Sequence, residues 1–169
     1  LLVLGGVRAG KSAFAVARAA ERGERVAFVA TAEAGDDEMA ARIARHRAAR
    51  PPDWTTVEAP LALAEALADL DGKADAVVVD CLNLWVANLL GREPALGDEQ
   101  LVARTAALIA RRSFELILVS NEVGWGVHPE TAIGRRFRDA LGAVNQAAAG
   151  GADEVVLLVA GCPLWLKTA

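Results

Sequence analysis

Export, disulfide scaffolding, membrane insertion and non-specific nucleic-acid binding each need something that this 169-residue chain has little of. Its two cysteines, Cys81 and Cys162, stand far apart and form no Cys-x-x-Cys, which excludes a zinc ribbon or a disulfide framework. Both are expected as buried thiols, since free cysteine behaves as a small hydrophobe, and a reducing cytoplasm is the expected compartment. The longest apolar run, residues 155–166, is broken by Gly161 and Pro163 and falls short of the roughly 18 residues that a spanning helix requires. The opening Leu-Leu-Val-Leu is too short for the apolar core of an export signal. Positive charge is also scarce. With 18 Lys+Arg against 22 Asp+Glu the net charge is −4, so no global cationic field exists and nucleic acid is not an expected partner. There is no internal repeat and no low-complexity tract, and the linker-like stretches 50–53 and 91–98 are too short to separate domains. A single domain over 1–169 is expected. What the chain does have is 54% hydrophobic content and 37 alanines, enough for one sizeable core with closely packed helices.

Short apolar runs recur at 1–4, 26–30, 76–79, 116–119 and 155–160. Near-continuous Val/Leu/Ile runs are the pattern of strands buried on both faces. Between them, 11–22, 37–50, 61–70, 84–90, 99–112 and 131–149 read as helices. Strand–helix alternation predicts an α/β fold, a mostly parallel sheet with helices on both faces and ligands at the carboxyl ends of its strands.

Gly5-Gly6-Val7-Arg8-Ala9-Gly10-Lys11-Ser12 fits G-x-x-x-x-G-K-[ST] and lies where that motif must lie, between an apolar strand and an amphipathic helix. Its glycines let backbone N–H groups turn onto phosphate oxygens, and the following helix adds its positive end. Lys11 is expected at the β/γ-phosphates and the Ser12 hydroxyl on Mg²⁺. An acid near that metal is also required, commonly at the end of a neighbouring strand. Asp80 closes Ala-Val-Val-Val-Asp at the ligand-facing edge, where it can serve the metal, cap the helix that follows, or do both.

Residues 39–52 carry four arginines, Arg42, Arg45, Arg47 and Arg50, and no acid, a local +4 in a chain of −4. Arg42, His46 and Arg50 follow at i, i+4 and i+8, so they are expected on one helical face, with Met39 and Ile43 as nearby apolar contacts. Asp36, Asp37 and Glu38 sit at the helix start, where negative charge complements the dipole. A solvated basic face is one meaning of such a run. Beside a phosphate loop the other is an anion site with a nucleophilic imidazole, because histidine can form a covalent phosphoramidate. His128, in Gly-Val-His-Pro-Glu, reads as a loop residue. Glu122, after the 116–119 run, faces substrate or fixes its own loop.

These segments, with Ala30-Thr31-Ala32-Glu33, Asp37-Glu38-Met39, Arg42-Ile43, His46-Arg47, Arg50-Pro51 and Trp54, and then Ser120-Asn121-Glu122-Val123-Gly124, together resemble one family. The pattern continues through Pro129-Glu130, Gly134-Arg135-Arg136-Phe137-Arg138-Asp139 and Asn145-Gln146 to Ala160-Gly161. It resembles the bifunctional adenosylcobinamide kinase/adenosylcobinamide-phosphate guanylyltransferase family of cobalamin biosynthesis over nearly the whole chain. The resemblance implies phosphorylation of the aminopropanol hydroxyl of adenosylcobinamide by ATP or GTP. Transfer of GMP from GTP then gives adenosylcobinamide-GDP through a guanylylated histidine, for which His46 is the matching residue. It further implies GTP contacts at Gly5 through Ser12, at Thr31, Ala32 and Glu33, at Arg47, Ala48, Ala49 and Arg50, and at Glu58 and Asp80. A RecA-like sheet, a homotrimer and a corrinoid site partly between subunits complete what the resemblance implies. Two further readings of the motifs alone are a P-loop kinase of another small metabolite and a nucleotide-gated binding module.

Overall fold

The computed structural model describes residues 1–169 apart from Ala49 and Arg111, and apart from the side chain of Arg42. Seven strands, β1 (Leu2–Gly5), β2 (Val26–Ala30), β3 (Thr55–Glu58), β4 (Ala76–Asp80), β5 (Glu115–Val119), β6 (Val155–Val159) and β7 (Cys162–Lys167), form one sheet of order β3-β2-β4-β5-β1-β6-β7. All neighbouring pairs are parallel except β6 and β7. The helices are α1 (Lys11–Ala20), α2 (Asp37–Ala48), α3 (Leu63–Asp69), α4 (Leu82–Arg92), α5 (Asp98–Ile109) and α6 (Ala132–Gly151).

The strands read as unbroken apolar runs because both faces are buried, and alternate residues feed two separate cores. Leu2, Leu4, Val77, Val79 and Leu118 pack on one face with α3–α6, whereas Val3, Val78, Ile117 and Val119 pack on the other with Ala15 and Ala19 of α1. No helix among the described residues is long and apolar enough to cross a membrane.

Sequence and structure differ mainly at the sheet edges. β3, with the sequence TTVE, is half-exposed at one edge and carries no apolar run to announce it. β7 is exposed throughout at the other edge; the strand expected at 155–160 is β6, and the longer apolar run 155–166 turns back on itself after it to give a second strand that was not expected. Ala160 (φ 51°) and Gly161 (φ 82°) form the two-residue loop of a hairpin in which Val159 pairs with Cys162. Two positive φ angles are those of a type I′ turn, whose twist matches the flanking strands. Cys162 is therefore exposed, against the expectation of two buried thiols, while Cys81 is buried.

Helix ends also shift. Arg50 lies in a bend outside α2 (Asp37–Ala48), so it is not the third member of a helical face with Arg42 and His46. It precedes Pro51, which disfavours the α region for the residue before it. The side chain of Arg42 lies outside what the structure describes. α4 begins two residues earlier than the sequence pattern suggests, with Cys81, not Asp80, at its N-cap. The helix-cap alternative for Asp80 is thereby removed.

Candidate active site

At the carboxyl end of β1 the chain turns sharply into the 5–12 loop. Gly5 has φ 153°, and a Cβ there would stand 2.6 Å from the Leu158 carbonyl oxygen on β6, so no side chain fits. Gly10 takes φ 96° as the N-cap of α1, a left-handed conformation natural to glycine. The β6–β7 hairpin braces the loop from outside, the Gly161 N–H donating to the Ala9 carbonyl at 3.0 Å. Lys11 is buried and its Nζ donates to the Gly6 carbonyl at 2.7 Å, which holds the ammonium inside the curve of the loop.

Next to this loop, the ends of β2 and β4 are tied together by Thr31. Its hydroxyl donates to the Cys81 carbonyl (2.7 Å) and accepts from the Cys81 N–H (2.8 Å), while its own N–H donates to the Asp80 carbonyl (3.3 Å). Asn88 of α4 completes the strut, its amide donating to the carbonyls of Thr31 (2.8 Å) and Pro60 (3.1 Å). Thr31 is fully buried in this role. Asp80 is thereby fixed at the strand end, and its Oδ2 is buried without a hydrogen-bond partner.

A cavity of about 380 Å³ opens between these elements and α2. Of the residues singled out from sequence, it is lined by Val7 through Ser12, Ala32, His46, Arg50 and Asp80. Met39 and Ile43 of α2 supply apolar wall, as expected from their spacing. Arg50 reaches the cavity from the linker before β3, its guanidinium 3.4 Å from the centre of the Phe28 ring. Stacking on an aromatic face holds a cation in place without neutralising it. Burial lowers the Arg50 pKa from its ordinary value, Asp80 acting to raise it and Arg47 to lower it, and arginine stays charged throughout the physiological range.

Other expected contacts lie outside the cavity lining. Gly5 is buried against β6, and Gly6 is exposed and holds Lys11 through its carbonyl. Glu33 is exposed and pairs with Arg92 at 3.2 Å. Arg47 and Ala48 are exposed on α2, Glu58 is exposed at the end of β3, and Ala49 lies outside the described residues. His128 is exposed in its loop, its Nδ1 2.8 Å from Arg138 Nη1. Glu122 is drawn into its own loop, accepting from Asn145 Nδ2 (3.3 Å) while its N–H donates to the Gly5 carbonyl (3.2 Å). Asn145 is buried and also bonds Ser120 Oγ (2.6 Å) and the Asn121 carbonyl (3.0 Å), so α6 fixes the β5 loop against the phosphate loop.

Sequence reasoning missed Asn83, Leu84 and Asn121, all of which line the cavity. Asn121 stood in a quoted segment and directly follows a strand at the ligand edge, a position that could have marked it. Asn83 and Leu84 carried no signal, because their placement depends on α4 starting at Leu82.

Comparison with known proteins gives the chain a family. The family described as cobinamide kinase / cobinamide phosphate guanyltransferase matches residues 1–166. The bifunctional adenosylcobalamin biosynthesis protein CobP of Pseudomonas aeruginosa is 46% identical over 167 residues, covering 98% of this chain and 96% of that protein. CobU of Escherichia coli K12, of the same description, is 40% identical over 181 residues, 99% of each chain. Among solved structures, an ATPase from the type III secretion system of pathogenic bacteria matches 94% of this chain with a TM-score of 0.60 at 10% identity. This chain spans 50% of that ATPase, and the likeness bears on the P-loop fold alone. With a family match over almost its full length and relatives aligned end to end, the chain belongs to the cobinamide kinase / cobinamide phosphate guanyltransferase family.

Proposed function

We propose that one cavity serves two reactions: phosphorylation of the adenosylcobinamide hydroxyl by ATP or GTP, and transfer of GMP from GTP to the resulting phosphate through His46. The observation that carries this reading is that His46 lines the same cavity as Lys11, Ser12 and Asp80, so that a phosphate cradle and a nucleophilic imidazole face one space.

A divalent cation such as Mg²⁺ suits the oxygen donors present. Asp80 Oδ2 is buried and unpartnered, and Ser12 lines the same wall. Among the described residues no group of three or more His, Cys, Asp or Glu could hold an ion unaided. Ser12 and Asp80 would therefore hold it jointly with nucleotide phosphates, as is usual for Mg²⁺. When bound, the ion neutralises charge on the phosphoryl oxygens.

In guanylyl transfer an imidazole nitrogen of His46 forms a bond to the α-phosphorus as the α–β bridging P–O bond breaks. Pyrophosphate leaves into the cradle of Lys11 and the loop N–H groups, and Arg50 faces the charge that develops. A phosphate oxygen of the corrinoid then attacks the same phosphorus, the P–N bond breaks and His46 is regenerated. In the kinase reaction the substrate hydroxyl attacks the γ-phosphorus, its proton passes to solvent and the nucleoside diphosphate leaves; positioning by Lys11 and the loop dominates, and His46 takes no covalent part.

Mass spectrometry of protein incubated with GTP and Mg²⁺ without corrinoid tests the reading. The expected product carries GMP on His46, labile to acid and stable to alkali, with pyrophosphate released in step. GMP on His128, on a lysine or on no residue overturns it.

We further infer that the chain is one domain, because a single sheet with a core on each face spans it. A homotrimer in the cytoplasm is the expected working form. Exposed Leu164 and Leu166 on β7 offer apolar edge surface to another copy, and neither Cys81 nor Cys162 forms a disulfide. A light-scattering mass of three times 17.7 kDa checks the assembly.

A further inference from the structure

Two amide side chains on α4 have opposite fates. Asn88 faces the fold and donates to two carbonyls. Asn83, in the first turn of the same helix, lines the cavity with Lys11, Ser12 and Asp80, and its Oδ1 is buried without any hydrogen-bond partner. Asp80 Oδ2, three residues earlier, is in the same condition. Buried polar atoms are nearly always satisfied, so two open acceptors lining one cavity call for a partner that binds there.

The chemistry of the two atoms narrows that partner. Both are acceptors, so neither can satisfy the other. Nucleotide phosphates are ionised at neutral pH and also only accept, so they cannot satisfy Asn83 Oδ1 either. A cation that keeps its inner waters meets both needs, because a carboxylate binds the ion or its waters while an amide oxygen accepts from a bound water.

We propose that Asn83 is an outer-sphere anchor for the nucleotide-bound Mg²⁺, accepting a hydrogen bond through Oδ1 from a metal-bound water next to Asp80. The assignment rests on the metal reading of Ser12 and Asp80 given above. It adds a positioning residue from a separate element, the first turn of α4. The helix start at Leu82 is what turns this amide toward the phosphate loop.

Mn²⁺ binding, followed by electron paramagnetic resonance in the presence of α,β-methylene-GTP, reads the site without turnover. Asn83→Ala is expected to weaken Mn²⁺ binding about 10-fold, the low end of what loss of an outer-shell partner costs. Its affinity for the nucleotide in EDTA should match that of the native protein. Asn83→Asp, which restores an acceptor and adds charge, should bind Mn²⁺ at least as tightly as the native chain. Asp80→Asn should weaken the metal more than Asn83→Ala does. Unchanged Mn²⁺ affinity in Asn83→Ala overturns the proposal, as does an equal loss of metal-free nucleotide binding. Asp80→Asn then separates the two failures: if it still weakens Mn²⁺ the metal reading stands alone, and if it does not, both fall. Should Asn83→Ala fail to fold, weaker Mn²⁺ binding by Asn83→Asp overturns the assignment in its place.

Discussion

The two ends of the sheet treat side-chain acceptor oxygens in opposite ways. At the amino ends of β2, β4 and β5, Arg25 grips Asp75 (2.5 Å), and Asp71 accepts from both the N–H and the hydroxyl of Ser113 (2.8 and 2.7 Å). At the carboxyl ends, Asp80 Oδ2, Asn83 Oδ1 and Arg50 Nε are all buried and unpartnered. The first end has its carboxylates paired, the open buried groups there being the Nε donors of Arg18 and Arg112, whereas the second end leaves two acceptor oxygens open. Unsatisfied buried groups lower stability, and they persist where a ligand supplies the missing partners. Substitutions at the cavity should accordingly cost catalysis more than stability, and substitutions at the opposite end should do the reverse.

The largest expected effect sits on α2. His46→Ala should reduce guanylyl transfer by about 10⁴-fold or more, the scale for loss of a covalent nucleophile, and remove the GMP adduct. Kinase turnover, read as nucleoside diphosphate release with adenosylcobinamide, should persist. If both activities fall together, the division of labour between imidazole and phosphate loop is wrong. Lys11→Ala should come next, lowering both reactions by about 10²–10³-fold, the range for removing one charge-stabilising donor. Retention of either reaction in a folded Lys11→Ala protein would mean that two cradles exist.

How much of this was readable beforehand depends on how far apart in sequence the cooperating residues lie. The loop from Gly5 to Ser12 is contiguous, so its spacing alone reveals its chemistry. Asp80 could be read because one strand ends on it. Asn83 could not, since nothing in Leu-Asn-Leu-Trp fixes where α4 begins. Arg50 was legible as a cation but not as a position, because Pro51 pulls it off the helix and the Phe28 ring then sets its place. The inner strands announced themselves through apolar runs buried on both sides. The edge strands β3 and β7 did not, because an edge strand needs no such run, and β7 was hidden inside one longer apolar stretch.

Thr31 marks where a family contact and a structural strut diverge, and its effect should be intermediate. Thr31→Val keeps the shape but leaves the Cys81 N–H buried without its acceptor, at a cost of about 1–3 kcal/mol. Denaturant unfolding should show that loss, and the Mg²⁺ requirement should rise because Asp80 is less firmly held. Weakened nucleotide binding at unchanged stability would instead make Thr31 a direct contact.

The smallest effect belongs to the paired carboxylates at the amino end and sharpens the contrast through pH. Hydrogen bonds from the Arg25 side chain, then from its backbone N–H, hold Asp75 below the usual carboxylate value of 3.8. The Ser113 hydroxyl, then its N–H, does the same for Asp71. A carboxyl whose folded pKa is depressed adds stability that is fully present above the unfolded value and lost as pH falls through the folded one. Asp71 is exposed and Asp75 is partly exposed at the surface, so solvent and salt screen the gain and it stays small. Asp75→Asn should therefore lower Tm slightly at pH 7 while leaving both reactions unchanged. The Tm difference from the native protein should shrink as pH drops below about 4, where the native carboxylate is protonated as well. Added salt should shrink it at neutral pH. A difference that stays constant down to pH 2 would assign the loss to backbone geometry around Arg25 and Gly72 in place of charge. A loss of turnover in Asp75→Asn would break the comparison itself, by showing that the two ends of the sheet are coupled.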